Sequence, residues 1–404
     1  ASAAHQPGII SEIGLGTFVD PRNQGGKLND VTKEDLIKLV NIEDKEYLYY
    51  KSVPPNVAFI RATTCDSEGY ATFEDEVMYL DALVIAEAVH NNGGIVMMQV
   101  QKMVKKATLH PKNVRIPGYL VDIVVVDPQQ TQLYGGAPVN RFISGDFTLD
   151  DSERVKIPLN QRKVVARRAL YEMKKQAIGN VGVGIADGIG LVAREEGCDE
   201  DFVLTVETGP IGGITTQGVA FGVNVNTRAI LDMTAQFDFY HGGGLDVCYL
   251  SFAEVDKEGN VNVHKFNGKI MGTGGFIDIS ATSKKIVFCG TLTAGGLRTE
   301  VGDGKLTITQ EGRVTKFVDH LPEITFSGKV ALERGLDVRY VTERAVFTLK
   351  ADGLHLVEVA PGVDIERDIV AKMGFKPVID KDLKQMDACI FTDAVMGFKL
   401  PDAE

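Results

Sequence analysis

The sequence predicts an α/β protein made of two similar open α/β domains. Three features predict it: short apolar runs, amphipathic stretches between them, and an internal repeat. The runs include Ile95-Val96-Met97-Met98, Val121-Asp122-Ile123-Val124-Val125-Val126, Phe202-Val203-Leu204-Thr205-Val206 and Ile286-Val287-Phe288-Cys289. They are short, rich in β-branched residues and bounded by turn-forming or charged residues, the pattern of buried strands. Between them, residues 162–173 place Val165, Ala169 and Met173 at helical spacing. Residues 364–373 read as another helix, with Asp364 as N-cap and Gly374 just past its end. Strands alternating with helices argue for α/β architecture.

The repeat pairs Asp66-Ser67-Glu68-Gly69-Tyr70-Ala71-Thr72 with Asp256-Lys257-Glu258-Gly259-Asn260-Val261-Asn262. Each copy is followed, after a similar interval, by a turn and a strand, at Ile95 and at Ile286. A second echo sets Ile116-Pro117-Gly118 against Ala360-Pro361-Gly362. The polar stretch 150–156 reads as a linker. It divides the chain into an amino-terminal domain, 1–150, and a carboxy-terminal domain, 157–404.

The chain has 404 residues and a net charge of -12, which argues against a nucleic-acid-binding surface. No apolar stretch is long enough to span a membrane. The first residues show no signal peptide; the missing initial Met points to processing or an incomplete chain. Cys65, Cys198, Cys248, Cys289 and Cys389 are dispersed, with no C-x-x-C spacing. They fit a reducing cytoplasm and read as small buried hydrophobes.

The most informative motif is Glu207-Thr208-Gly209-Pro210-Ile211-Gly212, directly after the run ending at Val206. It puts a carboxylate at the carboxyl end of a strand, where open α/β sheets bind ligands. The glycines permit a tight turn and close approach of a substrate. A carboxylate so placed can act as a nucleophile. The plainer reading is a surface turn.

Other motifs are weaker. Gly182-Val183-Gly184-Ile185-Ala186-Asp187-Gly188 has its third glycine one residue too late for a dinucleotide loop. No P-loop, G-x-S-x-G or H-E-x-x-H occurs, and no metal site is supported. Of the seven histidines only His241 sits in a glycine cluster. What remains is a set of glycine loops around 14–18, 182–184, 209–213, 242–244 and 272–275. Each alone reads as a tight turn; together they can form a site of backbone N–H groups suited to oxyanions and phosphates.

These residues resemble the family I coenzyme A transferases, and within them the single-chain enzymes acting on acetate and other short-chain acyl groups. The resemblance rests on several segments in order: Gly14-x-Gly16-Thr17-Phe18-Val19-Asp20-Pro21-Arg22-x-x-Gly25-Gly26-Lys27-x-Asn29, Val183-Gly184-Ile185-Ala186, Glu207-Thr208-Gly209, Gly242-Gly243-Gly244-Leu245-Asp246 and Gly272-Thr273-Gly274-Gly275-Phe276. It covers essentially the whole chain.

The resemblance implies two α/β domains with an active site between them and Glu207 as the nucleophile. Gly274 and Gly275 then belong to the loop that gives one oxyanion N–H, and Val183 gives a second. Gly16, Gly209, Gly243 and Gly244 are expected at the substrate. Lys27, Lys269 and Arg298 are candidates for the CoA phosphates, Gln99 and Gln101 for facing the site from the first domain. Phe276, Tyr240 and Met271 are candidates to line the acyl pocket.

The expected reaction is ping-pong transfer of CoA between a short-chain acyl-CoA and a carboxylate through a glutamyl–CoA thioester. CoA is the substrate and no cofactor is permanently bound. The expected partners are these substrates, further copies of the chain in a homo-oligomer, and a separate amino-terminal segment. Domains of this family begin earlier, so the first domain is expected to lack its opening strands. The rival readings are an acyl-CoA hydrolase on the same fold, a non-catalytic sensor of CoA esters or sugar phosphates, and a sugar-phosphate isomerase.

Overall fold

The computed structural model describes residues 1–136, 139–150 and 156–403. Of the linker stretch 150–156, residues 151–155 lie outside the described residues. Compactness divides the chain into two units interleaved in sequence. One comprises Ala1–Glu12, Leu36–Asp150 and Val206–Gln236; the other comprises Ile13–Asp35, Asp151–Thr205 and Phe237–Glu404.

In the first unit, β1 (Val57–Asp66), β2 (Ala71–Thr72), α1 (Ala82–Asn91), β3 (Ile95–Val104), β4 (Val114–Ile116) and β5 (Ile123–Val126) follow one another. The strands form a five-stranded sheet in the order β4-β2-β1-β3-β5. Strands β1, β3 and β5 are parallel. Side chains alternate across a strand, so Ala58, Ile60 and Ala62 of β1 share a face with Val96, Met98 and Val100 of β3. That face packs on Ala86 and Val89 of α1.

The second unit contains α2 (Gln161–Leu170), β6 (Ile178–Val181), α3 (Gly188–Glu196), β7 (Val203–Thr205), the end of α4 (Met233–His241), β8 (Val247–Ser251), β9 (Glu254–Asp256), β10 (Val261–Asn262), α5 (Phe276–Thr282), β11 (Lys285–Cys289), α6 (Gly328–Glu333), β12 (Asp337–Val341), β13 (Ala345–Lys350), β14 (Gly353–Val359) and β15 (Val378–Gln385). Its sheet runs β7-β6-β8-β11-β12-β13-β14-β15. From β7 to β12 neighbouring strands are parallel. Helix α2 starts at Asn160, whose Oδ1 accepts the N–H groups of Arg162 (2.9 Å) and Lys163 (3.1 Å), a side-chain cap.

The repeat is a structural one. In each copy the aspartate Oδ1 accepts two backbone N–H groups: Asp66 from Glu68 and Tyr70 at 2.9 and 3.1 Å, Asp256 from Glu258 and Asn260 at 3.0 and 2.9 Å. The glycine of each turn adopts positive φ, +89° at Gly69 and +76° at Gly259. A short strand follows, then helix α1 or α5, then the parallel strand β3 or β11. The expected five-residue strand at 202–206 is trimmed to Val203–Thr205.

Two expectations need correction. The counterpart of Ile116-Pro117-Gly118 is Phe326-Ser327-Gly328, not Ala360-Pro361-Gly362. Ala71 pairs with Ile116 as Val261 bridges Phe326. A Cβ on Gly118 would lie 2.1 Å from the Glu68 carbonyl oxygen, and one on Gly328 2.2 Å from that of Glu258. Both glycines therefore let the chain lie against the repeated turn.

The helix expected over 364–373 does begin at Asp364, whose Oδ1 accepts the Arg367 N–H at 2.8 Å. It then forms a π-turn over Ile365–Ile369 and a 3-10 turn over Val370–Lys372. Arg344 Nη1 donates to the Asp368 carbonyl at 3.0 Å.

Burial alone would raise the Glu172 carboxyl, but Arg168 (2.9 Å) and Lys285 (2.8 Å) reverse this and hold it at about 2. A depressed carboxylate adds stability that is present above its unfolded value and is lost as pH falls through the folded one. Resistance to denaturant should therefore weaken as pH falls from 4.5 to about 2. Glu172→Gln, weaker at neutral pH, should lose less over that interval. Equal acid losses in the two proteins would contradict the assignment.

Candidate functional site

Each unit contributes its own set of candidate residues. In the first, the chain enters the Glu207 turn from Val206. The Val206 N–H donates to the Pro210 carbonyl and the Gly209 N–H to the Val206 carbonyl, both at 3.0 Å. Thr208 Oγ1 donates to the Gly222 carbonyl at 2.7 Å. Gly209 has φ +123°, and a Cβ there would lie 2.2 Å from the Leu231 carbonyl oxygen. Leu231 in turn donates its N–H to the Gly209 carbonyl at 3.0 Å. A tight, closely packed turn thus holds Glu207, which is half-buried.

Gln99 lies on β3 and donates from Nε2 to Gln130 Oε1 at 3.0 Å. Gln130 donates to Glu76 at 2.6 Å, and Arg61 pairs with Glu76 at 3.1 Å. Burial raises the Glu76 carboxyl while Arg61 works against it. Gln99 is therefore one end of a polar chain within the first unit.

In the second unit the strand that leads toward Glu207 is fixed from within. Thr205 Oγ1 lies 2.7 Å from the buried Tyr240 hydroxyl and donates to the Gly179 carbonyl at 2.9 Å. Tyr240 therefore belongs to the core and does not line an open pocket. Phe276 is also core, stacked on Phe288 with centroids 5.6 Å apart. Met271 is exposed.

Val183 lies just past β6 and is 59% exposed. Ser251, at the end of β8, donates from Oγ to the Val183 carbonyl at 2.8 Å and accepts the Ile185 N–H at 3.2 Å. Gly184 has φ +111°, and a Cβ there would meet Ser251 Oγ at 2.5 Å. Ser251 thus fixes the peptide beside Val183.

The loop of Gly274 and Gly275 leads into α5. The Phe276 N–H donates to the Thr273 carbonyl at 3.1 Å, and the Ile279 N–H to the Gly275 carbonyl at 2.9 Å. Gly272 and Gly274 have positive φ, and a Cβ on either meets nothing within 4 Å. These glycines serve conformation. Gly244 instead serves packing, and Gly16, at φ +74°, serves both. A Cβ on Gly16 would meet Ser327 Oγ and Val330 Cγ2 at 2.8 Å, and one on Gly244 the Phe239 ring at 2.3 Å. Gly243 (φ +80°) and Gly244 terminate α4, donating to the Tyr240 and Phe239 carbonyls at 2.9 and 3.0 Å.

The segment around Gly16 folds on itself. Asp20 accepts the Gly16 N–H at 2.9 Å and pairs with Arg22 at 2.7 Å, while Asn23 donates to the Thr17 carbonyl at 2.8 Å. Lys27 pairs with Asp35. Lys269 and Arg298 are exposed. His241 is hydrogen-bonded to Asp278 at 2.8 Å.

The histidine that sequence reasoning missed is His264. It is fully buried, with Phe18 stacked on it at 3.9 Å. No motif marks it, because its partners are remote in sequence. Among the described residues no group of three or more His, Cys, Asp or Glu could hold a metal ion. No helix there is long and apolar enough to cross a membrane.

Known proteins resemble this chain closely. The family model for coenzyme A transferase matches residues 1–127. Acetate CoA-transferase YdiF of Escherichia coli strain K12 is 82% identical over 403 residues, covering 100% of this chain and 76% of the relative. Caffeate CoA-transferase of Acetobacterium woodii is 42% identical, covering 98% of this chain and 78% of the relative. The crystal structure of the YdiF apoenzyme from Escherichia coli O157:H7 superposes with a TM-score of 0.95 at 81% identity, over 100% of this chain and 76% of that one. A thioester complex of that enzyme with CoA matches with the same TM-score and coverage at 80% identity.

Proposed function

The chain belongs to the coenzyme A transferase family, and from that premise we propose that it moves coenzyme A from a short-chain acyl-CoA to a free carboxylate such as acetate. The observation that carries this reading is the 82% identity, over the full chain, to an acetate CoA-transferase. The tight turn that presents Glu207 supplies the nucleophile. The CoA thioester complex of the related enzyme supports a covalent route.

The Glu207 carboxylate attacks the thioester carbonyl; the carbon–sulfur bond breaks and CoA thiolate leaves an acyl–glutamyl anhydride. The thiolate attacks the Glu207 carbonyl, giving a glutamyl–CoA thioester and releasing the first carboxylate. A second carboxylate runs the sequence backwards and departs as the new acyl-CoA. The N–H groups of Val183 and Gly275 are the proposed oxyanion donors, and losing one such donor costs about 10²–10³ in rate. One thioester replaces another, so no ATP is consumed. Because the enzyme is modified between the two halves, the kinetics are ping-pong.

Coenzyme A is thus a substrate and a covalent intermediate, with no other cofactor required. Residues 1–150 and 157–404 are the proposed domains. The partners are acyl-CoA, short-chain carboxylates and further copies of the chain in a homo-oligomer. The setting is cytoplasmic, in keeping with the free thiols at all five cysteines.

The test is intact-protein mass after incubation with acetyl-CoA and then borohydride. Reduction of a glutamyl thioester to the alcohol lowers the mass slightly and inactivates the enzyme. A decrease mapping to Glu207 is expected. No change with CoA bound would refute the covalent route.

A further inference from the structure

We propose that His264 is a positioning residue for the Gly272–Gly275 loop, clamped between Phe18 and the Thr325–Glu323 pair so that its backbone carbonyl fixes where the loop's N–H groups point. This rests on the reading above, in which Gly275 supplies an oxyanion donor.

The loop has little rigidity of its own. Three of its four residues are glycine, which costs the most backbone entropy to order. Its carboxyl end is tied into α5, and its entry is tied to one acceptor: the His264 carbonyl takes the N–H groups of Met271 at 2.7 Å and Gly272 at 3.2 Å. The small hairpin of Lys265–Phe266 and Lys269–Ile270 lies between these points, so His264 closes its base. Where that carbonyl points depends on how residue 264 is held.

Its ring is held on three sides. Phe18 stacks on one face, with centroids 3.9 Å apart and planes 19° apart. Thr325 Oγ1 lies 2.7 Å from Nδ1, and Glu323 Oε2 lies 3.3 Å from Nε2. A carboxylate only accepts, so Nε2 carries the proton and Nδ1 accepts from the threonine hydroxyl. Phe18 is itself fixed, donating its N–H to the Ile324 carbonyl at 2.7 Å and accepting the Gly26 N–H at 2.9 Å. The charged groups facing the ring are Glu323 and, next to it in sequence, Lys265, which pairs with Glu323 at 2.8 Å. Burial holds the imidazole below its ordinary range, against the pull of Glu323. The segment 14–29 therefore acts as a brace, with Gly16 packed on the start of α6 so that Phe18 reaches the histidine.

The test compares the full chain with His264→Phe, which keeps a ring but loses both polar contacts, and with Phe18→Leu, which loses the stack. Both variants should lower kcat by about 10- to 100-fold, the cost of a small misplacement of catalytic groups. KM for acetyl-CoA should stay within about twofold. Amide hydrogen exchange at Gly272–Phe276 should quicken in both, an effect that does not depend on the reaction catalysed. If the parent shows no transferase activity, the exchange result still decides whether the clamp exists. Folded variants with parental kcat and parental exchange would overturn the proposal. So would a rise in KM alone. Should His264→Phe fail to fold, His264→Gln, which can still satisfy one of the two polar partners, replaces it under the same criteria.

Discussion

Replacing Glu207 with Ala or Gln is expected to abolish CoA transfer, lowering kcat/KM by roughly 10⁴-fold or more, as loss of a covalent nucleophile does elsewhere. An amide has nearly the shape of the carboxylate but no negative charge to open the thioester. Glu207→Gln should therefore bind acyl-CoA with near-parental affinity while failing to exchange. It should also show no borohydride-dependent mass change. Glu207→Asp keeps the charge but withdraws it by one methylene, and a displacement of that order costs about 10²-fold. Steady-state rates with acetyl-CoA and a second carboxylate give the comparison. A Glu207→Ala protein retaining a tenth of the parental rate would remove Glu207 from the chemistry. The three variants separate charge from placement, because Asp loses only the second.

How far a sequence reveals such a site depends on whether the forces involved are local. The repeated aspartate turn is legible because all of it lies within five residues: one carboxylate oxygen accepts two nearby N–H groups, and a glycine supplies positive φ. The same holds for the aspartate opening residues 364–373. The path of the chain beyond Asp364 is not legible in the same way. The segment's backbone is also bonded from outside, by Arg344 at the Asp368 carbonyl, and the place of Arg344 is set by tertiary packing. The mistaken second echo has a related cause. A Pro-Gly pair recurs easily, whereas the feature both copies share is a glycine lying on the carbonyl of the repeated turn.

Glycine loops show the limit most plainly. Gly16, Gly244 and Gly274 look alike in sequence, yet Gly244 is glycine because a Cβ would strike Phe239, Gly274 because of its backbone angle, and Gly16 for both reasons, with φ +74° and Ser327 against it. Only contacts separate packing from conformation. His264 escapes sequence reasoning for the same reason. Its clamp joins Phe18 to Thr325, and no spacing rule relates positions so distant. Tyr240 and Phe276 mislead in the other direction, since an aromatic residue beside a glycine cluster can as easily face the core.

Gly209→Ala should also remove most activity while leaving the nucleophile in the chain. Its φ of +123° is a conformation that side chains other than hydrogen rarely adopt, and the new methyl would meet the Leu231 carbonyl at 2.2 Å. Strain of this kind costs about 1–3 kcal/mol, and the overlap adds to it, so the turn has to relax. Two of its fastenings pass through this residue: its N–H to the Val206 carbonyl and its carbonyl to the Leu231 N–H. Relaxation therefore moves the Glu207 peptide itself. A shift of about 1 Å at a catalytic group costs on the order of 10²-fold, so kcat should fall by about that factor. The β1-β3-β5 sheet and its contacts with α1 do not involve residue 209, and the far-ultraviolet spectrum should be unchanged. Borohydride labelling at Glu207 should slow in proportion to kcat, because the nucleophile is present but misplaced. Labelling at the parental rate alongside reduced turnover would place the defect in a later step. That would show that the turn's geometry matters less than the presence of the carboxylate.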